Sequence, residues 1–406
     1  MSVEQRVGGG RIGVALVGVG GAVATTAIAG VEMLKAGGND LTGLPLADVS
    51  TAGLADYRDL VFTGWDVNGD DLATAAEKHG VLGREQLADG AGAGLRGVRP
   101  MAAVGSSRFC KNVDGENKVN ARSHREAVER ISDDLARFKR DSGVERVVVV
   151  NLASTERYPD LAAPALQDLQ AFERGLDESD EAIGPAMLYA YAAIASGAPY
   201  ANFTPSVAAD AKPLMQMARE RNVAVAGKDG KTGQTFMKTV IAPALRARSL
   251  HVDGWFSTNI LGNRDGLALD DPASLASKVE TKKSVLDQIL GYPVEDHIID
   301  IRYYRPRGDD KEAWDNIDVT GFLGQRMQIK VNFLCKDSIL AAPLAIEIAR
   351  CLGLADARGE GGVQEQMGAF FKAPMTADGR EPEHAFNAQT ARLAEWLSGS
   401  GRPFEA

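Results

Sequence analysis

The chain contains few cysteines and few histidines. Its 406 residues include three cysteines, Cys110, Cys335 and Cys351, which are too scattered to form a disulfide framework or a zinc site. The five histidines show no metal-ligand spacing. The sequence therefore predicts a protein of a reducing compartment, and it predicts no metal site.

An excess of positive charge is also missing. The 45 lysines and arginines are outnumbered by 55 aspartates and glutamates, which gives a net charge of -10. This balance argues against nucleic acid and against an anionic membrane as partners, because both select for clustered basic residues. No run of about 18 apolar residues could span a bilayer, and no signal peptide is evident. We therefore expect a cytoplasmic globular protein of two or three domains.

The first apolar run is followed by a glycine turn and a helix. Residues 12–21 read IGVALVGVGG, and the residues after them predict a helix that ends before residue 37. Gly18, Gly20 and Gly21 would let backbone N–H groups approach a pyrophosphate at the positive end of that helix. Val23 stands where the dinucleotide-binding fingerprint has its third glycine, so an ordinary α/β turn is an equal alternative.

A carboxylate follows the next predicted strand. Residues 61–67 (VFTGWDV) predict a strand that ends at Asp66. At this position a carboxylate would accept hydrogen bonds from an adenosine ribose and would repel the additional phosphate of NADP. The separation from Gly21 is longer than usual, so a plain strand-end carboxylate is the alternative.

Other segments supply the scaffold. Residues 121–139 predict an amphipathic helix, and residues 90–97 (GAGAGLRG) predict a flexible surface loop. Residues 147–150 predict a buried strand, so residues 151–157 would lie at its carboxyl end, where ligands bind to open α/β sheets. A small-residue helix then leads into a polar turn at residues 202–206.

Three polar clusters lie between Gly227 and Lys283. They read GKDGKTGQT (227–235), FSTNILGNRDG (256–266) and SKVETKK (277–283). The glycine spacing of the first is wrong for an ATP-binding Walker A loop. In the third, Lys278 and Lys282 would share one helix face, which suits an anion, although a solvated lysine face is the alternative.

Later segments add two alternating strands and two isolated lysines. Residues 297–306 and 326–334 alternate as half-exposed strands do, with Lys311 between them. Residues 337–350 predict a buried helix. Lys372 stands among apolar residues in FFKAP, where burial could lower its pKa for proton transfer unless the side chain reaches the surface.

Taken in order, these sequence motifs resemble those of the myo-inositol-1-phosphate synthase family over most of the chain. The matching words are GxGG with Thr25-Thr26, GWD at 64–66, A-x-TER at 153–157, PYANFTPS at 199–206, GKDGKTGQT, N-x-LGN-x-DG at 259–266, the lysine pair, GDDK ending at Lys311, C-x-DS-x-LAAP at 335–343 and FKAP around Lys372. The form resembles a bacterial branch of the family.

The resemblance implies an α/β fold with two parts. One is a Rossmann-type doubly wound parallel sheet, and the other is a central α+β domain whose open sheet carries the catalytic site and builds a homotetramer. We expect residues 1–235 to form the first part of the NAD-binding domain and residues 236–336 to form the catalytic and oligomerisation domain. Residues 337–406 would then return to the Rossmann domain.

The resemblance also implies a reaction. Tightly bound, recycled NAD would oxidise C5 of D-glucose 6-phosphate, an intramolecular aldol step would close the ring, and re-reduction would give 1D-myo-inositol 3-phosphate. Lys278 and Lys372 would transfer protons and stabilise oxyanions, while Lys282 and Lys311 would hold phosphate.

The remaining site residues are assigned by the same resemblance. Asp229, Asn259, Asp265 and Asp337 would line the nicotinamide and substrate pocket, Asn202 and Thr204 would contact substrate, and Ser338, Thr155, Asp66, Gly18, Gly20 and Gly21 would hold NAD. Asp229 is also expected to take part in catalysis. Some family members require a monovalent or divalent cation, which carboxylates and phosphate could hold.

Several positions depart from the eukaryotic family pattern. Ala22 and Val23 replace two asparagines, Ile260 replaces a histidine, Arg264 an asparagine and Lys336 a glutamate. These changes leave open a related carbocyclase that would convert fructose 6-phosphate to a five-membered cyclitol phosphate for carbocyclic nucleosides. A sugar-phosphate dehydrogenase that releases NADH and a catalytically inactive NAD-binding regulator are further alternatives.

Overall fold

The computed structural model describes residues 10–38, 40–49, 51–88, 90–111, 114–262 and 285–399. The strands are β1 (Ile12–Val17), β2 (Leu60–Asp66), β3 (Met101–Ala102), β4 (Arg146–Asn151), β5 (Tyr200–Asn202), β6 (Ala224–Gly227), β7 (His251–Leu261), β8 (Asp296–Tyr303), β9 (Asp310–Thr320), β10 (Arg326–Lys336) and β11 (Gly362–Val363). The helices are α1 (Ala22–Lys35), α2 (Leu72–His79), α3 (Arg84–Ala88), α4 (Gly90–Leu95), α5 (His124–Ser142), α6 (Leu169–Glu178), α7 (Pro185–Ala195), α8 (Lys212–Glu220), α9 (Gly233–Ala247), α10 (Asp337–Ala357) and α11 (Phe386–Leu397). Residues 285–290 are also helical.

Seven strands form a parallel sheet in the order β11-β6-β5-β4-β1-β2-β3. β1 is an interior strand, with Ile12 opposite Leu60 on one side and Arg146 on the other. β1 and most of β4 are buried, which explains their unbroken apolar runs. The strand order reverses between β1 and β4, and ligands of open parallel sheets bind at the carboxyl ends beside such a switch.

Helices cover both faces of this sheet. Residues such as Ile28 of α1 and Leu352 of α10 pack against one face. Residues such as Ile131 of α5 and Phe172 of α6 pack against the other. The predicted doubly wound, Rossmann-type sheet is therefore confirmed.

The second sheet has four strands in the order β10-β9-β7-β8. β8 runs parallel to β7, and β9 runs antiparallel to both β7 and β10. α9 and residues 285–290 cover one face, where Trp255 and Ile317 are fully buried. Phe256, Ile298 and Trp314 lie exposed on the opposite face. Within the described ranges no helix covers this second face, which agrees with the open sheet that the resemblance implies.

The domain ranges remain predictions. The strands of the second sheet all lie within residues 251–336, and β11 joins the first sheet beside β6. α9 begins at Gly233 and packs against β7 and β9, so one helix crosses the predicted boundary at residue 235.

The prediction of a surface loop at residues 90–97 was wrong. Residues 90–95 form α4, in which Ala91 and Leu95 are completely buried. A Cβ on Gly94 would come within 2.3 Å of Glu32 Cγ on α1. The glycines that suggested flexibility therefore allow two helices to approach closely.

α10 is long and apolar but lies inside the protein. The expectation that no run is long and apolar enough to span a bilayer was wrong on composition, since these 21 residues satisfy that length and hydropathy, yet 78% of the most apolar window is buried. Its composition therefore reflects packing against β1, β4 and α1.

A buried ionic network fixes α10 to the first sheet domain. Glu347 accepts hydrogen bonds from the Tyr57 hydroxyl at 2.7 Å and from the Leu46 N–H at 3.1 Å. Arg350 donates to Glu347 at 2.6 Å and to the Ala55 carbonyl at 2.7 Å, and its guanidinium lies 3.9 Å from the Tyr57 ring centroid. Each charge thus has several partners away from water.

We predict that Arg350→Met lowers the free energy of unfolding by about 3–5 kcal/mol, because it leaves the Glu347 carboxylate buried without its counter-ion. Arg130→Met is the matched control, since Arg130 pairs with Glu126 on the surface of α5, and it should change stability little. Urea unfolding of both variants tests the difference. Equal effects of the two substitutions would contradict the prediction.

Candidate active site

A cleft of about 480 Å³ lies at the carboxyl ends of β1, β2 and β4. It reaches from the glycine turn to residues of the second sheet and of α10. The predicted site residues that line it are Gly18, Gly20, Gly21, Asp66, Thr155, Thr204, Asp229, Lys311, Asp337, Ser338 and Lys372. The fold therefore brings together side chains that are scattered over the chain.

The glycine turn is held by backbone hydrogen bonds. The N–H groups of Gly18 and Val19 donate to the Trp65 carbonyl at 2.8 and 3.1 Å. Gly18 has a φ of +82°, which glycine adopts without strain, and a Cβ there would come within 3.0 Å of Ala153 Cα. Gly21 is the N-cap of α1 and provides no side-chain cap. The uncapped N–H groups of this helix therefore suit the pyrophosphate of a dinucleotide.

Asp66 connects β2 to the glycine turn. One carboxylate oxygen accepts the Gly20 N–H and the other accepts the Asn68 N–H, both at 2.9 Å. A carboxylate oxygen can accept a hydrogen bond from a hydroxyl, which is the contact expected with a ribose. Asp66 therefore braces the turn and faces the cleft at the same time.

A short backbone ladder joins residues 227–231 to residues 370–375. The N–H groups of Lys228 and Lys231 donate to the carbonyls of Ala373 and Phe370, both at 2.8 Å. The Lys372 N–H donates to the Asp229 carbonyl at 2.6 Å. These bonds set two segments side by side that are far apart in the chain.

The ladder places Lys372 against Asp229. Their side chains form an ion pair, with Lys372 Nζ 2.7 Å from Asp229 Oδ1, and both residues are buried. Asp229 Oδ2 is buried and has no hydrogen-bond partner among the described residues. Because an unpaired buried oxygen is costly, this atom is suited to accept a hydrogen bond from a ligand in the cleft.

A second lysine–carboxylate pair faces the same cleft. Lys311 Nζ on β9 lies 3.2 Å from Asp337 Oδ1, at the start of α10. The Thr232 hydroxyl donates to the same oxygen at 3.1 Å. Ser338 donates its hydroxyl to Asp309 at 2.6 Å and its N–H to the other oxygen of Asp309 at 3.2 Å. The N-terminus of α10 is therefore built into the wall of the cleft.

Asn202 has a completely buried side chain that shapes the turn after β5. Its amide donates to the Ser206 carbonyl at 2.6 Å, and its carbonyl accepts the Thr204 N–H at 3.1 Å and the Thr204 hydroxyl at 2.9 Å. Thr204, rather than Asn202, lines the cleft. The predicted contact of Asn202 with substrate stays a prediction.

Asn259 lies on the covered face of β7 and is 2% exposed. Its amide donates to the side chain of Gln234, which in turn donates to the Thr258 carbonyl at 2.9 Å. The Asn259 side-chain oxygen is buried without a partner in the described part of the chain. Lys278, Lys282, Asp265 and Arg264 lie outside the described residues, so their assignments stay predictions.

Sequence reasoning missed three buried lysines that do not line the cleft. Lys228 pairs with Asp210 at 2.7 Å, and Lys238 Nζ lies 2.8 Å from His297 Nε2. Lys231 donates to the side chain of Gln389 on α11. Lys228 and Lys231 belong to a motif that was read as one polar loop. The ladder sends their side chains to separate partners.

Burial changes the charge behaviour of Lys231. It lowers the pKa of this amine from 10.5 to about 7. The neighbouring His384 is also buried, and burial together with Lys231 lowers its pKa to about 4. Lys231 can therefore lose its proton near neutral pH.

Residues 45–398 match the family model described as myo-inositol-1-phosphate synthase, an NAD-binding family. The chain belongs to this family. It is 40% identical over 422 residues to inositol-3-phosphate synthase 1 of Bacteroides thetaiotaomicron, covering 98% of this chain and 97% of that protein. It is 30% identical to inositol-3-phosphate synthase of Saccharomyces cerevisiae, covering 84% and 70% of the two chains.

A solved structure also resembles the fold. The inositol-3-phosphate synthase of Caenorhabditis elegans superposes with a TM-score of 0.90 at 24% identity, covering 98% of this chain and 87% of that one. The predicted family, its α/β fold and its class, an NAD-using isomerase, are confirmed. NAD is therefore the dinucleotide that fits the glycine turn and the uncapped start of α1.

We predict that the free energy of unfolding of the native protein rises relative to that of Lys231→Met as the pH rises. Between about pH 7 and 10.5 the unfolded chain holds a proton on Lys231 that the folded protein lacks, so native stability increases with pH in this window. Methionine cannot titrate. Loss of the Gln389 contact changes the free energy of unfolding by the same amount at every pH. Urea unfolding at pH 7, 8 and 9 measures the difference. Lys139→Met, at an exposed site on α5, should show a constant difference, and a constant difference for Lys231→Met would contradict the prediction.

Proposed function

We propose that the protein converts D-glucose 6-phosphate to 1D-myo-inositol 3-phosphate. The observation that carries this proposal is the pair of lysine–carboxylate contacts, Lys372 with Asp229 and Lys311 with Asp337, that face the same cleft as the glycine turn. A dehydrogenase needs one acid–base group beside the nicotinamide. A cyclisation needs several, together with a cationic site for the phosphate. The names of the bacterial and yeast relatives support the same product.

NAD, held by Gly18, Gly20, Gly21 and Asp66, would supply a hydride acceptor for C5 of the sugar and the same hydride for the later reduction, so the reaction would have no net redox change. The residues of the chain must then bind the sugar phosphate, move protons and stabilise negative charge on oxygen. They must also keep water from the reacting atoms.

Lys372 is suited to proton transfer at the carbon that is oxidised. Asp229 holds its amine at 2.7 Å, and the ladder fixes the backbone of both residues. An ammonium in this position can donate a hydrogen bond to a developing oxyanion, which is a stronger interaction in a cleft from which water is excluded. Lys278 is proposed as the second amine of this kind.

Lys311 is suited to bind the phosphate. Its contact with Asp337 is 3.2 Å long, and an ammonium has three N–H donors, so it can donate to phosphate oxygens as well as to the carboxylate. Lys282 is proposed as its partner. Asp309 and Asp337 could share a monovalent or divalent cation with the phosphate, although the described residues contain no cluster of three or more metal-type side chains.

The function is tested by phosphorus and carbon NMR of the protein with catalytic NAD. One tube contains glucose 6-phosphate and the other contains fructose 6-phosphate. We expect inositol phosphate from glucose 6-phosphate alone, with no build-up of NADH. Lys372→Met should lower the rate by about 10²–10⁴-fold, the usual contribution of a general acid–base group. Lys212→Met, at an exposed position on α8, should keep the native rate.

Three other results would overturn the proposal. A cyclopentane product from fructose 6-phosphate would identify the related carbocyclase, and stoichiometric NADH would identify a simple dehydrogenase. No turnover in either tube would favour an NAD-binding regulator. A chelator is then added to the tube that shows turnover. Loss of turnover there would show that the reaction requires a divalent cation.

We also propose that the protein is a homotetramer assembled through the open sheet. Phe256 and Trp314 have ring centroids 5.7 Å apart on its exposed face, and Ile298 and Leu334 extend the apolar surface. Light scattering should give four chain masses for the native protein. Trp314→Asp should lower that mass, because it places a charge in the apolar contact, whereas Leu161→Asp, at an exposed site away from the sheet, should not. A native monomer would contradict the proposal.

A further inference from the structure

His79 is the last residue of α2 and lies on the wall of the cleft. Its ring atom Nε2 lies 2.8 Å from the carbonyl oxygen of Gly20. A carbonyl oxygen can only accept a hydrogen bond, so Nε2 carries a proton and donates it. A side chain from a separate helix therefore holds the glycine turn. Neither the sequence motifs nor the proposed reaction gives His79 a role.

Gly20 is held by side chains on both of its peptide groups. Its N–H donates to Asp66 Oδ2 at 2.9 Å, and its carbonyl accepts from His79 at 2.8 Å. Asp66 is the last residue of β2, and His79 is the last residue of the α-helix that follows β2 in the chain. All three residues line the cleft. The orientation of Gly20 is therefore set by two side chains that lie where the dinucleotide is expected.

The turn and the start of α1 have no side chain of their own for this purpose. Residues 20–24 read GGAVA, and none of them has a polar side chain. Thr25 is the first polar residue of α1, and its hydroxyl donates to the Gly21 carbonyl at 2.9 Å within the same turn of helix. Glycine has more backbone freedom than any other residue, so a glycine pair is costly to order. Asp66 and His79 therefore supply the side-chain contacts that the turn itself lacks.

The position of His79 also matters for the electrostatics of the cleft. The carbonyl groups at the C-terminal end of a helix carry partial negative charge, and α2 ends at the cleft wall with Lys78 and His79. The Gly20 carbonyl adds a further negative oxygen at the glycine turn. These oxygens would repel a pyrophosphate bound at the uncapped N–H groups of α1. The N–H of His79 covers the Gly20 oxygen and so reduces the repulsion.

We propose that His79 is a positioning residue for NAD, whose hydrogen bond to Gly20 holds the glycine turn in the conformation that binds the pyrophosphate. Without His79, the Gly20 carbonyl loses this donor and the ligand itself must order the turn, so the affinity falls. His79 acts through Gly20 rather than by contact with NAD. The proposal concerns NAD binding alone, which rests on the family of the chain, and it is independent of which sugar phosphate reacts.

The test is isothermal titration of the full-length protein with NAD, after bound nucleotide has been removed, at about pH 8, where free histidine is mostly neutral. His79→Leu removes the donor and should raise the Kd about tenfold, as expected when a hydrogen bond is lost and its acceptor stays unpaired. His79→Gln should keep a Kd close to native, because its amide N–H reaches about as far as Nε2 of histidine. His79→Asn is shorter by one methylene group and should behave like His79→Leu.

His124 provides a matched control. Its Nε2 also bonds a backbone carbonyl, that of Asp180 at 3.2 Å, but His124 begins α5 and is not part of the cleft wall. His124→Leu should lower the free energy of unfolding and leave the Kd for NAD unchanged. A purely structural bond at His79 would give the same pattern. Equal Kd values for the native protein, His79→Leu and His79→Asn would therefore overturn the proposal.

A second ligand assigns the effect to the pyrophosphate. ADP-ribose has the adenosine and the pyrophosphate of NAD but lacks nicotinamide, so His79→Asn should weaken its binding by the same factor. Adenosine has no phosphate, and its affinity should be equal in the native protein and the variant. The two amide variants differ only in reach, so their comparison holds even if His79→Leu fails to fold. An unchanged affinity for ADP-ribose, or an equal loss for adenosine, would overturn the proposal.

Discussion

The site depends on the backbone ladder between residues 227–231 and 370–375. Side-chain ion pairs cannot by themselves bring together groups that lie 143 residues apart in the chain, because each loses conformational freedom when it pairs. Backbone hydrogen bonds hold the two segments side by side. Lys372 then meets Asp229 at 2.7 Å with little further ordering. The same ladder directs Lys228 toward Asp210 and Lys231 toward Gln389. These two side-chain contacts hold the segment 227–231 on either side of Asp229.

The two sheets contribute different chemistry to one cleft. The parallel sheet supplies neutral donors, namely the glycine turn and the uncapped start of α1, which suit a dinucleotide. The second sheet and α10 supply Lys311 and Asp337, which suit a small charged substrate. α10 links these parts, since its first residue is in the cleft and its middle is fixed by Glu347 and Arg350. The contacts of α10 with the parallel-sheet domain therefore fix the position of Asp337 in the cleft.

Regular elements could be predicted where one face or both faces are apolar. β1 and β4 are unbroken apolar runs, and α5 has a clean apolar stripe, so their types were evident. β9 was missed because two of its inward positions carry Lys311 and Asp315, which hide the alternation of Ala313 and Ile317. Polar residues at inward positions are typical of functional sites, where local rules and function conflict.

The site itself was predictable mainly through the family resemblance. Lys372 and Asp229 show no local sign that they pair, and only the ladder explains their contact. Long-range packing of this kind leaves no periodic signal in the chain.

The position of Lys372 near the end of the chain has a consequence for protein synthesis. A nascent chain has made the glycine turn and most of the parallel sheet long before residue 372 leaves the ribosome. Such a chain could begin to bind nucleotide while it still lacks the amine that pairs with Asp229. The ion pair across the cleft can therefore form only after the segments that contain β11 and Lys372 have been made.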